Sequence, residues 1–396
     1  MQEGRYTQNA RLTGGHTKGI TSLAFNSTGD VLASAALDGS VCIWDANTWK
    51  MLYVYYANTG ITSLTWFTDT ALICGLEDGI LSSVVRGETA LKVSGFWAHR
   101  YPVEHVSVSG RLVASGAHQE VSVWAWNENA EHAFITTSLP SPGTSDSAWD
   151  ADGVSKGKDW CSADTDEVLI TGVYWASSFL IVAYLNHGIR FFDKDTWKLF
   201  AVHNTRYPVL SPNGAFMAAS NPEEGFDIYD LDNGKVIRSF AHDAADNERA
   251  VPVLFIHGGH AILGGSTTGT LNIWYIDQCR QLDPLQMPNQ DKVLSIAAHF
   301  YVDTKRFVLA TGIMNEQAPS SVIIWSSCSG EEFTPSGDCE EPIDISDDSQ
   351  SNLKQNDQPS TSLVAIRMLV YSVCGATLVA TVAAESLGRS KRYGTP

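Results

Sequence analysis

Apolar and polar residues alternate in short runs along most of the chain, and the runs come in sets. Residues 20–45 (ITSLAFNSTGDVLASAALDGSVCIWD) hold an alternating run, a turn, an apolar run, an Asp-Gly turn and a third run, and residues 61–85 repeat that order. The same five residues, GITSL, open both sets at Gly19 and Gly60. Runs of β-branched and aromatic residues with turn signals roughly every 8 to 12 residues predict antiparallel strands joined by hairpins. Asp38-Gly39 and Asp78-Gly79 supply the positive φ that such hairpins need. Third runs recur as VSVWA (121–125), IRFFD (189–193), FDIYD (226–230), LNIWY (271–275) and VIIWS (322–326), which makes seven units. Trp44, Trp124, Phe192, Tyr229, Trp274 and Trp325 anchor these runs, and Val84 takes the place of the aromatic residue in the second unit.

A period of about 40 residues with four strands per unit is the signature of a β-propeller blade, and the chain resembles the WD-repeat family. The first unit carries the family's marks best: Gly15-His16 before the first strand, Asp38 in the turn and Trp44-Asp45 closing the third strand. The resemblance implies a hydrogen-bonded blade network of His16, Asp38 and Trp44 with a serine or threonine, at a position that aligns here with Ala36. His99, His203 and His242 stand at comparable positions before other blades, which lack the turn aspartate. WDANTWK (44–50) is echoed by FDKDTWK (192–198) and RYPV (100–103) by RYPV (206–209), and both echoes are read as agreeing on one frame. The expected fold class is all-β: a seven-bladed β-propeller of four-stranded antiparallel blades over residues 1–329, followed by a disordered acidic linker and an apolar C-terminal helix.

The seventh unit reaches its third run before the composition turns acidic. Residues 5–12 are therefore expected to supply its outermost strand and close the ring, the alternative being a strand from Cys328 onward (CSGEEF). Between blades three and four lies an insertion, 141–164, rich in Ser, Gly and Asp and carrying Trp149 and Trp160. In the family's geometry it emerges on the top face, either as a functional loop or as a surface insertion tacked to the rim by its tryptophans.

Residues 330–362 have the composition of a flexible linker. Within them PIDISDD (342–348) resembles the short motif that binds the ubiquitin-like modifier SUMO. Ile343 and Ile345 would fill pockets by strand addition while Asp347 and Asp348 meet a basic rim. Residues 363–384 are nearly all apolar and long enough to span a bilayer as a helix, with Arg367 near one end and a basic tail at 385–396. A helix docked on the propeller is the competing reading.

Composition narrows the classes of function. A formal charge of -18 argues against nucleic acid, whose phosphates need a lysine and arginine surface. Seven cysteines scattered singly predict free, mostly packed thiols and no disulfide framework or zinc site. The polar opening MQEGRYTQNARLTGGH has no secretory pattern, so a cytoplasmic protein is expected, with a nuclear one as the alternative.

His16, His99, His203 and His242 follow the blade period and are read as structural, whereas His257 and His260 flank a turn without a third metal ligand nearby. No phosphate loop, dinucleotide fingerprint or nucleophile elbow occurs, and no cofactor, metal or small-molecule substrate is expected. The expected function is a non-enzymatic scaffold that binds a protein or peptide on the top face, through Arg100, Tyr101, Arg206 and Tyr207 with Trp149 and Trp160 nearby. Two arginines at one opening would suit an acidic or phosphorylated peptide. An enzyme with dispersed active-site residues and a nuclear or chromatin adaptor are the alternatives.

Overall fold

Blade one is an antiparallel meander of Ile20–Phe25, Val31–Ala36, Ser40–Asp45 and Met51–Tyr56, each strand pairing with its sequence neighbour. The computed structural model describes residues 6–127, 133–142, 167–176, 178–185, 187–203, 208–211, 216–221, 225–230, 235–241, 252–265, 269–277, 280–314 and 319–328. Six further sheets repeat the order, with inner strands Ile61–Thr68, His105–Ser109, Ile170–Trp175, Pro208–Leu210, Val253–Ile256 and Lys292–Tyr301. Successive inner strands adjoin, and the last returns to Ile20–Phe25, so the sheets close into a seven-bladed propeller. Links from outer to next inner strands, and turns between second and third strands, form the top face; the remaining turns form the bottom.

No blade buries its apolar faces alone. Val31, Ala33 and Ile43 pack with Ile61, Leu72 and Val84 between blades one and two, and Ile20, Leu32 and Trp44 pack with Val308, Ala310 and Ile324 between seven and one. The repeated GITSL serves this contact. Ile20 and Ile61 are fully buried. Thr21 Oγ1 donates to the Ile61 carbonyl of the next blade at 2.6 Å, and Thr62 Oγ1 to the Val103 carbonyl of the following one, also at 2.6 Å. Ser63 Oγ adds a second bond to Val103 O at 2.7 Å, and Ser295 Oγ bonds Ile20 O at 3.2 Å across the seam between blades seven and one. Backbones approach so closely that a Cβ on Gly75 would stand 2.3 Å from Val103 O, so only glycine fits.

Strand register gives one frame for all blades. The third-strand anchors pair with the second strand throughout: Trp44 with Leu32, Val84 with Leu72, Trp124 with Val113 and Phe192 with Leu180. Tyr229 pairs likewise with Met217, Trp274 with Ile262 and Trp325 with Leu309. The WDANTWK echo keeps this frame down to its turn chemistry. Asp45 accepts hydrogen bonds from Thr48, and Asp193 from Thr196, at 2.7 to 2.8 Å, while Trp49 and Trp197 both adopt φ 58°.

The RYPV echo does not keep it, which corrects the sequence reading. Pro102 precedes the inner strand of blade three, whereas Pro208 lies inside that of blade five, paired with Ala219. Ala219 stands where Ser115 does, and the partner of Ser115 is Val106, four residues beyond Pro102. A four-residue match is too short to constrain a register.

Thr7–Leu12 forms the outer strand of blade seven, antiparallel to Val322–Cys328, as the polarity of residues 5–12 predicted. Arg11 Nε donates to Ser321 Oγ at 2.9 Å, and the buried Tyr6 hydroxyl hydrogen-bonds His257 Nε2 of blade six at 3.0 Å. The alternative closing strand lies beyond Cys328, outside the described residues. Blade six differs from its neighbours. Its outer edge is split into Arg280–Gln281 and Leu285–Gln286, both on Thr270–Tyr275, with Pro284 between them unable to donate to a ladder. Cys42 and Cys74 are buried free thiols. No described helix is long and apolar enough to cross a membrane; the acidic segment and the apolar residues 363–384 fall outside the described residues.

Candidate functional site

The blade-one network is complete, and its hydroxyl comes from Ser34 rather than Ala36. Trp44 Nε1 donates to Ser34 Oγ at 2.8 Å, Ser34 Oγ contacts His16 Nε2 at 2.6 Å, and His16 Nδ1 contacts Ser40 Oγ at 2.6 Å. Ser40 Oγ donates in turn to Asp38, which also accepts from the Thr17 backbone and hydroxyl. One proton order satisfies every atom: Trp44 to Ser34, Ser34 to His16, His16 to Ser40, Ser40 to Asp38. It requires a neutral imidazole. Burial pushes the His16 pKa down to about 4, against the pull of Asp38. Burial acts to raise the Asp38 carboxyl, but the Ser40 and Thr17 hydrogen bonds outweigh it and hold it well below the usual range.

The same frame locates the hydroxyl position in each blade two residues beyond the anchor's partner: Ser34, Cys74, Ser115, Val182, Ala219, Gly264 and Thr311. Blade three therefore carries a second full network. Trp124 Nε1 donates to Ser115 Oγ at 2.8 Å, Ser115 Oγ contacts His99 Nε2 at 2.7 Å, and His99 Nδ1 reaches Glu120 at 3.2 Å. Glu120 fills the role expected of a turn aspartate, and burial lowers the His99 pKa. In blade seven Trp325 Nε1 bonds Thr311 Oγ1 at 3.3 Å, and Thr311 Oγ1 lies 3.7 Å from Met287 Sδ at the histidine's place. Trp274 finds Gly264 at the hydroxyl position and packs on the rings of Phe226 and Phe240.

Blade three also presents a cluster on the top face. The Tyr101 ring stacks on His118, centroids 4.6 Å apart and planes 24° apart. His118 sits in the turn between the second and third strands with φ 53°, a left-handed conformation uncommon outside glycine. Its Nε2 contacts Glu167 Oε1 at 3.0 Å, just before the inner strand of blade four. Arg100 is exposed, and its backbone N–H donates to Glu120 at 3.2 Å. Packing around the exposed Glu104 raises its carboxyl pKa, opposed by the nearby His118. Glu104, Glu120 and Glu167 thus gather around Tyr101, His118 and the Arg100 backbone.

The outer strand of blade three ends at Leu139 and blade four begins at Ile170, so the insertion leaves and returns beside this cluster. Trp149, Trp160, Arg206, Tyr207, Ile343, Ile345, Asp347 and Asp348 lie outside the described residues, as does His242. His257 and His260 do flank a turn. His257 is taken up by Tyr6, and His260 Nδ1 lies 3.0 Å from Asp277. Among the described residues no group of three or more His, Cys, Asp or Glu is placed to hold a metal ion.

The family model described as WD domain, G-beta repeat matches residues 7–45. The match begins in the outer strand of blade seven and ends at Asp45, taking in the whole blade-one network. This match and the seven-bladed fold together support a WD-repeat family. No curated protein matches the chain. The WD-repeat propeller is typically a scaffold for protein interaction. In this chain the histidine, hydroxyl and tryptophan network is complete in blades one and three, partial in seven, and replaced in blade two by Cys74 and Val84. Tyr101 is singled out in the sequence through RYPV, whereas His118 and Glu120 escape it because neither lies in an Asp-Gly turn or a repeated motif.

Proposed function

We propose that this propeller is a non-enzymatic scaffold that binds a protein or peptide segment at the top of blade three. The observation that carries the reading is the Tyr101–His118 stack, held in a left-handed turn and tied to Glu167 where the insertion returns. An aromatic ring fixed this way offers contact area at little ordering cost, the property that makes tyrosine an interface anchor. Glu104, Glu120 and Glu167 around it favour a segment bearing a basic side chain.

The test is a peptide array of basic, neutral and phosphorylated sequences, read with the parent protein and with a Tyr101→Ala/Glu104→Gln variant. Basic sequences should bind the parent and lose at least tenfold with the variant. Preference for phosphorylated sequences, or equal binding by both proteins, contradicts the assignment.

The apolar run 363–384 supports a cytoplasmic propeller tethered to a membrane. Carbonate extraction should leave the full chain, but not one ending at Ser362, in the membrane pellet. Equal release of the two removes the tether.

A further inference from the structure

The bottom face carries a cleft at the seam between blades seven and one. Its volume is about 360 Å³, near the lower limit of the roughly 300 to 1,000 Å³ usual for ligand pockets, so it suits one or two side chains rather than a whole cofactor. Ser27 and Asn47 line it from blade one, and His299, Tyr301, Asp303 and Arg306 from blade seven. The Arg306 guanidinium lies 4.7 Å over the Tyr301 ring, and its Nε is buried without a hydrogen-bond partner among the described residues. Nearby carboxylates are engaged by turn donors: Asp30 by Asn26 and Thr28, Asp45 by Thr48, Asp69 by Ser27. Asp303 stands at the lip beside Val302, 75% exposed, and Phe300, 40% exposed.

The described chain ends at this cleft. Cys328, last residue of the third strand of blade seven, pairs with Arg306. The next residues are Ser329, Gly330, Glu331, Glu332 and Phe333, an acidic and then aromatic run. Three to five residues of extended chain span about 10 to 18 Å, so these side chains are within reach of Arg306.

We propose that the segment following Cys328 occupies the bottom cleft of its own propeller, with the carboxylates of Glu331 and Glu332 at Arg306 and the Phe333 ring against Phe300 and Val302. Asp303 at the lip sets the direction, since it repels the acids and leaves the outer end to the phenyl ring. A tether this short holds the segment at an effective concentration of order millimolar, so even weak contacts keep the cleft filled. Both ends of the propeller chain then secure one seam, Thr7–Leu12 at the outer edge and residues 331–333 beneath.

The test uses the full chain and a full-length variant, Glu331→Gln/Glu332→Gln/Phe333→Ala, whose substitutions lie outside the described residues. Hydrogen exchange is followed in peptides covering 299–306, and a synthetic peptide of residues 329–336 is added in trans. The variant should exchange faster than the parent at 301–306 by several-fold, and it alone should bind the added peptide. Identical exchange in parent and variant, or equal peptide binding by both, overturns the proposal. Protection of 301–306 in the parent that rises with protein concentration overturns it too, because the occupant then comes from a second copy. Neither result bears on the top-face reading, which uses the opposite face.

Discussion

Ser34 shows how one hydroxyl sets a blade. It accepts from Trp44 and satisfies His16, so Ser34→Ala leaves two buried polar groups without partners, at about 1–3 kcal/mol each. Its melting temperature should fall by several degrees, and Ser115→Ala should match it, whereas Thr311→Val, which breaks a longer bond, should cost less. Equal melting of Ser34→Ala and parent would show that the network adds nothing. The same burial makes the fold acid-sensitive. His16, His105 and His257 are held to about 4 by burial, against an ordinary 6.5. Folded-state pKa values below the unfolded ones mean that the unfolded chain binds more protons in acid. Their stabilisation is therefore whole above about pH 6.5 and is lost as pH falls through 4. A melting temperature flat from pH 7 to 4 would contradict this. His16, Asp38 and Trp44 were legible because histidine, Asp-Gly and tryptophan are rare and punctual. Ser34 was not, because its place follows from hairpin register: counting back from the Asp-Gly turn reaches Ala36, while pairing through Trp44 and Leu32 reaches Ser34.

At the scale of strands, closure is the exposed joint of the ring. Thr7–Leu12 is held by its ladder to Val322–Cys328, by Arg11 on Ser321, and by Tyr6 on His257 in the adjoining blade. Deleting residues 1–12 should lower the melting temperature by several degrees and speed hydrogen exchange in Val322–Cys328, which would become an edge. Unchanged exchange there would mean that another segment covers the strand. Tyr6→Phe removes one hydrogen bond but keeps the ring in its apolar site, so it should cost far less than Tyr6→Ala. The closing strand could be read from sequence because seven third runs leave one outer strand missing, and the polar N-terminal segment is preferred over CSGEEF to supply it. The split outer edge of blade six could not, since a two-residue strand has no periodicity to detect. RYPV misled for the opposite reason: identity over four residues carried no pairing information.

The whole molecule is a ring of like blades that differ in what their top loops present. Blade one repeats the family pattern most fully, while blade three combines a complete internal network with the Tyr101–His118 stack and the flanks of the insertion. A rigid blade beneath a fixed aromatic residue is the arrangement that lets a loop bind without first paying to order itself. The fold followed from period and turn chemistry. The acidic setting of Tyr101 did not, because Glu104 and Glu120 meet Glu167, which leads into the next blade, only once the ring closes. The most direct test places a photo-crosslinking residue at position 101 on the top face and, separately, at position 302 on the bottom, in the full chain expressed in cells. A partner should crosslink at 101 and not at 302, and Glu104→Gln should weaken that crosslink severalfold while leaving the melting temperature unchanged. A partner that crosslinks at 302 alone, or at 101 regardless of Glu104, would contradict the account.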